Sequence, residues 1–280
     1  MKIGVIDVGG GMRGIYAAGV LEFCLEKSIS FDCCIGISAG SANLTTFLAK
    51  QKGRNVAFYE EYSFRKEYMG ITNYLKNGSF LNLQYIYGTL GNSNGENPLD
   101  YQAFQNNPAQ FFVVAQEAVT GQTVYFTKDD IHFDDCRVLM ASSTIPAVNR
   151  PFDLDGTLYF DGALADPVPV QKAFDEGCDK VVLILTKPLN VPRSPKKDII
   201  MAKLIQRKYP ISAKNLIQRA EKYNASVELA KRYQQDGKCL IIAPSSTCGV
   251  DTLKRSKESM RNFYRLGMED GQKIEQWIRN

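Results

Sequence analysis

Two hydrophobic periods alternate along the first fifty residues. Lys2 to Val8 is a short apolar run closed by glycines, and Ile15, Ala18, Gly19, Leu21 and Leu25 then recur at helical spacing until about Lys27. Residues 31–37 (FDCCIGI) form a second apolar run, and Ala39 to Lys50 a second helix-compatible stretch. Short continuous apolar runs bounded by glycine predict buried strands, so the pattern predicts a β-loop-α-β-turn-α unit of a parallel α/β sheet. Further on, residues 110–116 (QFFVVAQ) and 123–127 (TVYFT), joined across Thr120-Gly121, predict a hairpin. Asp134 to Ser142 reads as a short helix, Leu158 to Phe160 as strand leading into Asp161-Gly162, and residues 180–186 (KVVLILT) as another buried strand.

Between about 53 and 108 the periodicity is broken by polar residues and by tyrosines at 59, 62, 68, 74, 85, 87 and 101. This stretch is expected to form helices and long loops that cover the sheet, its tyrosines packing at a rim or over the active site. Pro188, Pro192 and Pro195 mark residues 187–198 as a loop or linker. Helix-rich sequence follows over 199–235, then a strand at Cys239 to Ala243 and a charged helix from about Thr252 to the end. The expected organisation is a catalytic core over 1–190, with 53–108 as its covering region. Residues 191–280 are expected as a helix-rich extension that returns one strand to the sheet.

Composition narrows the function classes. The 280 residues are 44% hydrophobic, enough for a sizeable core, and 34 basic against 30 acidic residues give a net charge of +4 without a concentrated basic footprint. Nucleic acid is therefore not an expected partner, whereas weak attraction to anionic lipid surfaces is compatible with the charge. No stretch approaches 18 uninterrupted apolar residues, and Asp7 and the glycines cut the first apolar run well short of a signal-peptide core. Membrane contact is expected to be peripheral. Seven cysteines, an odd number without C-x-x-C spacing, predict neither a zinc site nor a disulfide scaffold and fit a reducing cytoplasm. No cofactor or metal is expected.

Three motifs carry candidate chemistry. Gly36-Ile37-Ser38-Ala39-Gly40 fits G-x-S-x-G, the elbow in which a strand turns sharply into a helix and holds a serine hydroxyl outward. Gly91-Asn92-Ser93-Asn94-Gly95 fits it too, but lies among Asn and Gly with Pro98 beyond, whereas Ser38 has a strand before it and a helix after. A serine hydroxyl needs a base, and His132, the one histidine, sits in the acidic stretch DDIHFDD. Asp161, after the apolar run that ends at Phe160 and before Gly162, is the alternative, acting directly on the hydroxyl. Gly9-Gly10-Gly11-Met12-Arg13-Gly14, between the first strand and helix, can converge backbone N–H groups on an oxyanion or a phosphate. Its spacing also satisfies the dinucleotide fingerprint of an oxidoreductase. That reading wants an acidic residue at the end of the second strand, where Ile35 to Ser38 stand, and Asp32 comes too early.

The ordered set of G-G-G-x-R-G, G-x-S-x-G and the Asp161-Gly162-Ala163 triplet resembles the patatin-like phospholipases over roughly residues 1–186. Ala141-Ser142-Ser143-Thr144-Ile145-Pro146 is similar to that family's A-S-x-A-x-P block. The resemblance implies a three-layer α/β/α sandwich with a mostly parallel central sheet. It also implies a Ser-Asp dyad that cleaves carboxylic esters of phospholipids or related lipids through an acyl-enzyme, without a metal. Carried over by position, Ser38 is the nucleophile and Asp161 the base, and the Gly9 to Gly14 loop forms the oxyanion hole. Arg13 then steadies the loop or a negatively charged substrate, or makes an ordinary surface ion pair. A lipid-binding protein that keeps the fold with little turnover is the competing expectation.

Overall fold

Val5 and Ile6 are adjacent in one strand, both fully buried, and belong to different core clusters. Side chains alternate across a strand, so a continuous apolar run is stable only where both sheet faces are covered. The same split recurs at Val182 and Ile184 against Val181 and Leu183. In the computed structural model, which describes residues 1–279, the chain forms eight strands and ten α-helices among the described residues. Asn280, the last residue of the expected extension, lies outside the described residues. The strands are β1 (Ile3–Asp7), β2 (Cys33–Ile37), β3 (Gln110–Glu117), β4 (Thr123–Thr127), β5 (Phe152–Leu154), β6 (Thr157–Asp161), β7 (Lys180–Ile184) and β8 (Cys239–Ile242). The helices begin with α1 (Gly14–Glu26), α2 (Ala39–Leu48), α3 (Arg54–Glu60), α4 (Ile71–Asn77), α5 (Tyr101–Asn106), α6 (Arg137–Ser142) and α7 (Val170–Asp175). They end with α8 (Lys196–Ile205), α9 (Pro210–Gln235) and α10 (Lys257–Arg279).

All eight strands form one sheet in the order β5-β6-β3-β2-β1-β7-β8, with β4 on β3 as well. The run β3-β2-β1-β7-β8 is parallel throughout, and β4, β5 and β6 pair antiparallel. Residues of α1, α2 and α10 pack on one face and residues of α7 and α9 on the other. The α/β class with a mostly parallel sheet follows the sequence expectation, and so does the hairpin of β3 and β4. Helix α10 crosses α1 at very close range: a Cβ on Gly267 would lie 2.1 Å from the carbonyl oxygen of Tyr16. The Tyr16 hydroxyl donates to Asp270 at 2.7 Å, and its ring stacks on Phe263.

Local chemistry shifted several expected boundaries. Helix α6 starts at Arg137 rather than Asp134, because Asp134 adopts φ 55° and His132 and Asp135 close a tight turn with reciprocal backbone bonds. Strand β5 had no sequence signal. It is a half-buried edge strand joined to β6 by a two-residue turn at Asp155 and Gly156, both at positive φ. Helix α8 begins inside the stretch expected as a loop, and α10 begins five residues after Thr252, because residues 251–252 are engaged elsewhere, as described below.

Candidate active site

Ser38 occupies the turn between β2 and α2 with φ 56° and ψ −128°, a strained conformation for a residue with a side chain. The turn is tight enough that a Cβ on Gly40 would lie 2.2 Å from the carbonyl oxygen of Asp7. The Ser38 N–H donates to Ser142 Oγ at 2.8 Å, and the Ser142 hydroxyl donates to the Val114 carbonyl at 2.6 Å. The end of α6 therefore buttresses the elbow against β3.

The register of β3 brings Asp161 to the same point. Strand β4 takes one edge of β3 over Phe112 to Gln116, which leaves the other edge for both β2 and β6. Along that edge Ile37 pairs with Val114, and Asp161 pairs with the next residue, Ala115. Strands β2 and β6 thus meet end to end, and the residues at their meeting ends are Ser38 and Asp161. The Asp161 N–H donates to the Thr144 carbonyl at 2.8 Å, and its carboxylate accepts the Ala163 N–H at 2.9 Å. Only 4% of Asp161 is exposed, and burial raises its pKa above the usual carboxylate range. The Ala163 N–H, the Ser38 hydroxyl and the charges of Arg219 and Arg193 offset part of that rise.

The glycine loop follows β1. Gly9, Gly10 and Gly11 all take positive φ, at 64°, 125° and 61°, which a side chain would resist. Most of the loop's backbone donors are occupied. Gly9 N–H donates to Asp7 Oδ1 at 2.9 Å, Met12 N–H to the Thr252 carbonyl at 3.0 Å, and Arg13 N–H to the Gly10 carbonyl at 3.3 Å. Gly14 N–H returns to the Gly11 carbonyl. Among the described residues the N–H groups of Gly10 and Gly11 have no acceptor. Arg13 is buried and donates to Asp251 Oδ1 at 2.7 Å and Thr252 Oγ1 at 2.8 Å, so residues 251–252 strap the loop from above. Asp7 is fully buried and also accepts from Asn43 Nδ2 at 2.9 Å; burial pushes its pKa up to about 6 despite both hydrogen bonds.

Two cavities meet at Ser38. A narrow one of about 80 Å³ runs into the covering region between Tyr59, Tyr68, Leu81, Leu83 and Ile86. A wide one of about 750 Å³ also reaches Gly10, Gly11 and Asp161 and has a basic wall of Lys187, Arg193 and Lys197. Asp198 of α8, buried, holds Arg193 and the Arg219 Nε (3.0 Å) in that wall. Lys187 makes no ion pair among the described residues; burial, then the neighbouring charges of Arg13 and Arg193, lower its pKa to about 8. The arrangement sets a hydroxyl in a strained turn beside a carboxylate of raised proton affinity and two unpaired backbone donors, which equips it for proton transfer and anion stabilisation.

The sequence model of the Patatin-like phospholipase family matches residues 8–174, more than half of the chain. The chain belongs to the patatin-like phospholipase family. A second match, to a domain of unknown function (DUF6363), covers residues 209–279. The patatin-like chain is 29% identical over 199 residues to the uncharacterized protein YjjU of Escherichia coli, a match covering 69% of this chain and 54% of that protein. It is 25% identical over 186 residues to lysophospholipase NTE1 of Cryptococcus neoformans, covering 65% of this chain and 11% of that protein. The chain therefore spans about half the length of one curated relative and a small part of the other. The crystal structure of VipD from Legionella pneumophila aligns with 98% of this chain and 66% of that one, at 13% identity and a TM-score of 0.48.

In this member of the patatin-like phospholipase family the glycine loop, Ser38 and Asp161 come together, while the other candidates lie elsewhere. Ser93 is exposed and donates its hydroxyl to Asp134 at 2.6 Å. His132 is exposed in its tight turn and lines neither cavity. Asp32 accepts the Ile3 N–H at the start of β1, at the opposite end of that strand from the glycine loop. Sequence reasoning missed Asp7, Asn43, Lys187 and Thr252. Asp7 left one signal, a lone carboxylate closing an apolar run, whereas Thr252 left none. Among the described residues no cluster of His, Cys, Asp or Glu could hold a metal, and no helix is long and apolar enough to cross a membrane.

Proposed function

We propose that the protein is a serine lipid acyl hydrolase working through a Ser38-Asp161 dyad. Asp161 takes the Ser38 proton as the serine oxygen bonds to the ester carbonyl carbon, and the N–H groups of Gly10 and Gly11 hold the resulting oxyanion. Collapse of this intermediate breaks the ester C–O bond, and the departing alcohol takes the proton from Asp161. Water then repeats the sequence on the acyl-enzyme and releases the fatty acid and Ser38. The observation that carries this reading is the register that sets Ile37 and Asp161 against consecutive residues of β3.

The two cavities support a lipid as substrate. The first few methylenes of an acyl chain fit the narrow apolar one, and a phosphate-bearing head group fits the wide one with its basic wall. A single-chain phospholipid is the favoured class, in keeping with the name of the lysophospholipase relative. The seven free cysteines favour a cytoplasmic location.

A serine-directed fluorophosphonate should label the wild type and spare Ser38→Ala. The same variant should lose hydrolysis of p-nitrophenyl esters and lysophospholipids by about a thousandfold or more. Equal labelling of both proteins, or a wild type inert toward every ester, would sink the proposal.

A further inference from the structure

The segment from Lys196 to Ile217, which makes up α8 and the first turns of α9, concentrates exposed aliphatic side chains. Five of its large aliphatic side chains are exposed: Ile199, Ile200, Leu204, Ile211 and Ile217. Ile200 and Leu204, one helical turn apart on α8, are 64% and 71% exposed. Ile199 and Ile217 line one shallow groove across the α8-α9 corner, whose far side on α9 carries Glu221 and Glu228.

The charges interleaved with these side chains have one sign. Lys196, Lys197, Lys203, Arg207, Lys208 and Lys214 are all exposed, and the one acidic residue between 196 and 217 is Asp198, buried and spent on Arg193 and Arg219. Lys197 reaches Asp251, while the other five make no ion pair among the described residues. Whole-chain charge is nearly balanced, so this concentration is local. The face is also continuous with the site: Lys197, Ile200 and Met201 line the wide cavity that holds Ser38 and Asp161.

We infer that the α8-α9 corner docks the protein on an anionic lipid surface with the mouth of the wide cavity toward the lipid. Exposed aliphatic side chains enter the interface between head groups and acyl chains, and the surrounding lysines and arginine pair with lipid phosphates. A second copy of the chain fits less well, because this face brought against itself would set unpaired cations against cations. The hydrolase reading gives such a surface its use, but the surface stands on its own residues.

The test is sedimentation of the Ser38→Ala protein with vesicles of phosphatidylcholine alone or mixed with phosphatidylglycerol, so that no lipid turns over during binding. Preferential binding to the anionic vesicles, weakened by salt, is expected. Leu204→Asp, and separately the triple change Lys203→Glu, Arg207→Glu, Lys208→Glu, should each reduce that binding by about tenfold or more. With Ser38 intact, neither set should alter hydrolysis of a soluble short-chain ester, which also reports that the variants fold. Equal binding to both vesicle types, or unchanged binding by the variants, overturns the inference. So does a wild-type dimer that ignores vesicles and is split by Leu204→Asp. A protein that docks on anionic vesicles but cleaves no ester would instead retain this surface and remove the proposed activity.

Discussion

At the scale of single residues, the chemistry turns on which form each ionisable group takes. In the proposed dyad Asp161 has to be ionised to accept the Ser38 proton, and a carboxyl group ionises as pH rises through its pKa. Burial raises that pKa, so the active fraction is gained at higher pH than for an ordinary aspartate at about 3.9. The acid limb of kcat/KM for a neutral short-chain ester should therefore lie above the usual carboxylate range, and Asp161→Asn should lower the rate by about 10²- to 10⁴-fold while the protein stays folded. A limb at or below pH 4 would contradict this role. Lys187 predicts the opposite limb. Its ammonium loses charge as pH rises through about 8, so an anionic acyl ester should lose kcat/KM above that pH while a neutral ester does not. In Lys187→Met the two esters should share one alkaline profile, with KM for the anionic one raised about tenfold at pH 7, equivalent to ~1.4 kcal/mol. Identical alkaline limbs in the wild type would remove Lys187 from substrate recognition.

Among the elements, two junctions set the geometry of everything else. The end-to-end meeting of β2 and β6 depends on β3 being long enough to pair with both along one edge, the first through Val114 and the second from Ala115. A one-residue slip of β6 would turn Asp161 to the other face of the sheet, so the register and the chemistry are one constraint. The second junction is the crossing of α10 over α1, the helix that follows the glycine loop. Gly267→Leu would drive a side chain into the Tyr16 carbonyl, and overpacking of this kind costs about 1–3 kcal/mol. Urea unfolding should show a lower midpoint with a similar slope; an unchanged midpoint would mean that the crossing loosens without cost.

Across the whole molecule, what could be read from the sequence depended on how far apart the cooperating residues lie. The glycine loop and the elbow were legible because each packs strand, turn and helix into a dozen residues, and hydrophobic period and glycine position report such units directly. Asp161 was legible as an Asp-Gly step after an apolar run, but its approach to Ser38 is a matter of strand register, which no local pattern encodes. Strand β5 escaped because a half-exposed three-residue edge strand carries too few apolar positions to show a period. The basic wall and the strap escaped for a different reason. Lys187, Arg193 and Thr252 reach the site from beyond the segment that matches the phospholipase family, and each alone looks like an ordinary surface residue.

The strap also orders events in time. A chain leaving the ribosome presents Ser38 and Asp161 long before residues 251–252 emerge, and until then the Met12 N–H and the Arg13 guanidinium have none of the partners that fix the glycine loop. Nascent protein with most of its sheet already translated thus lacks the strap that fixes this loop. In the proposed hydrolase, the glycine loop would be fixed only once residues 251–252 had joined the fold.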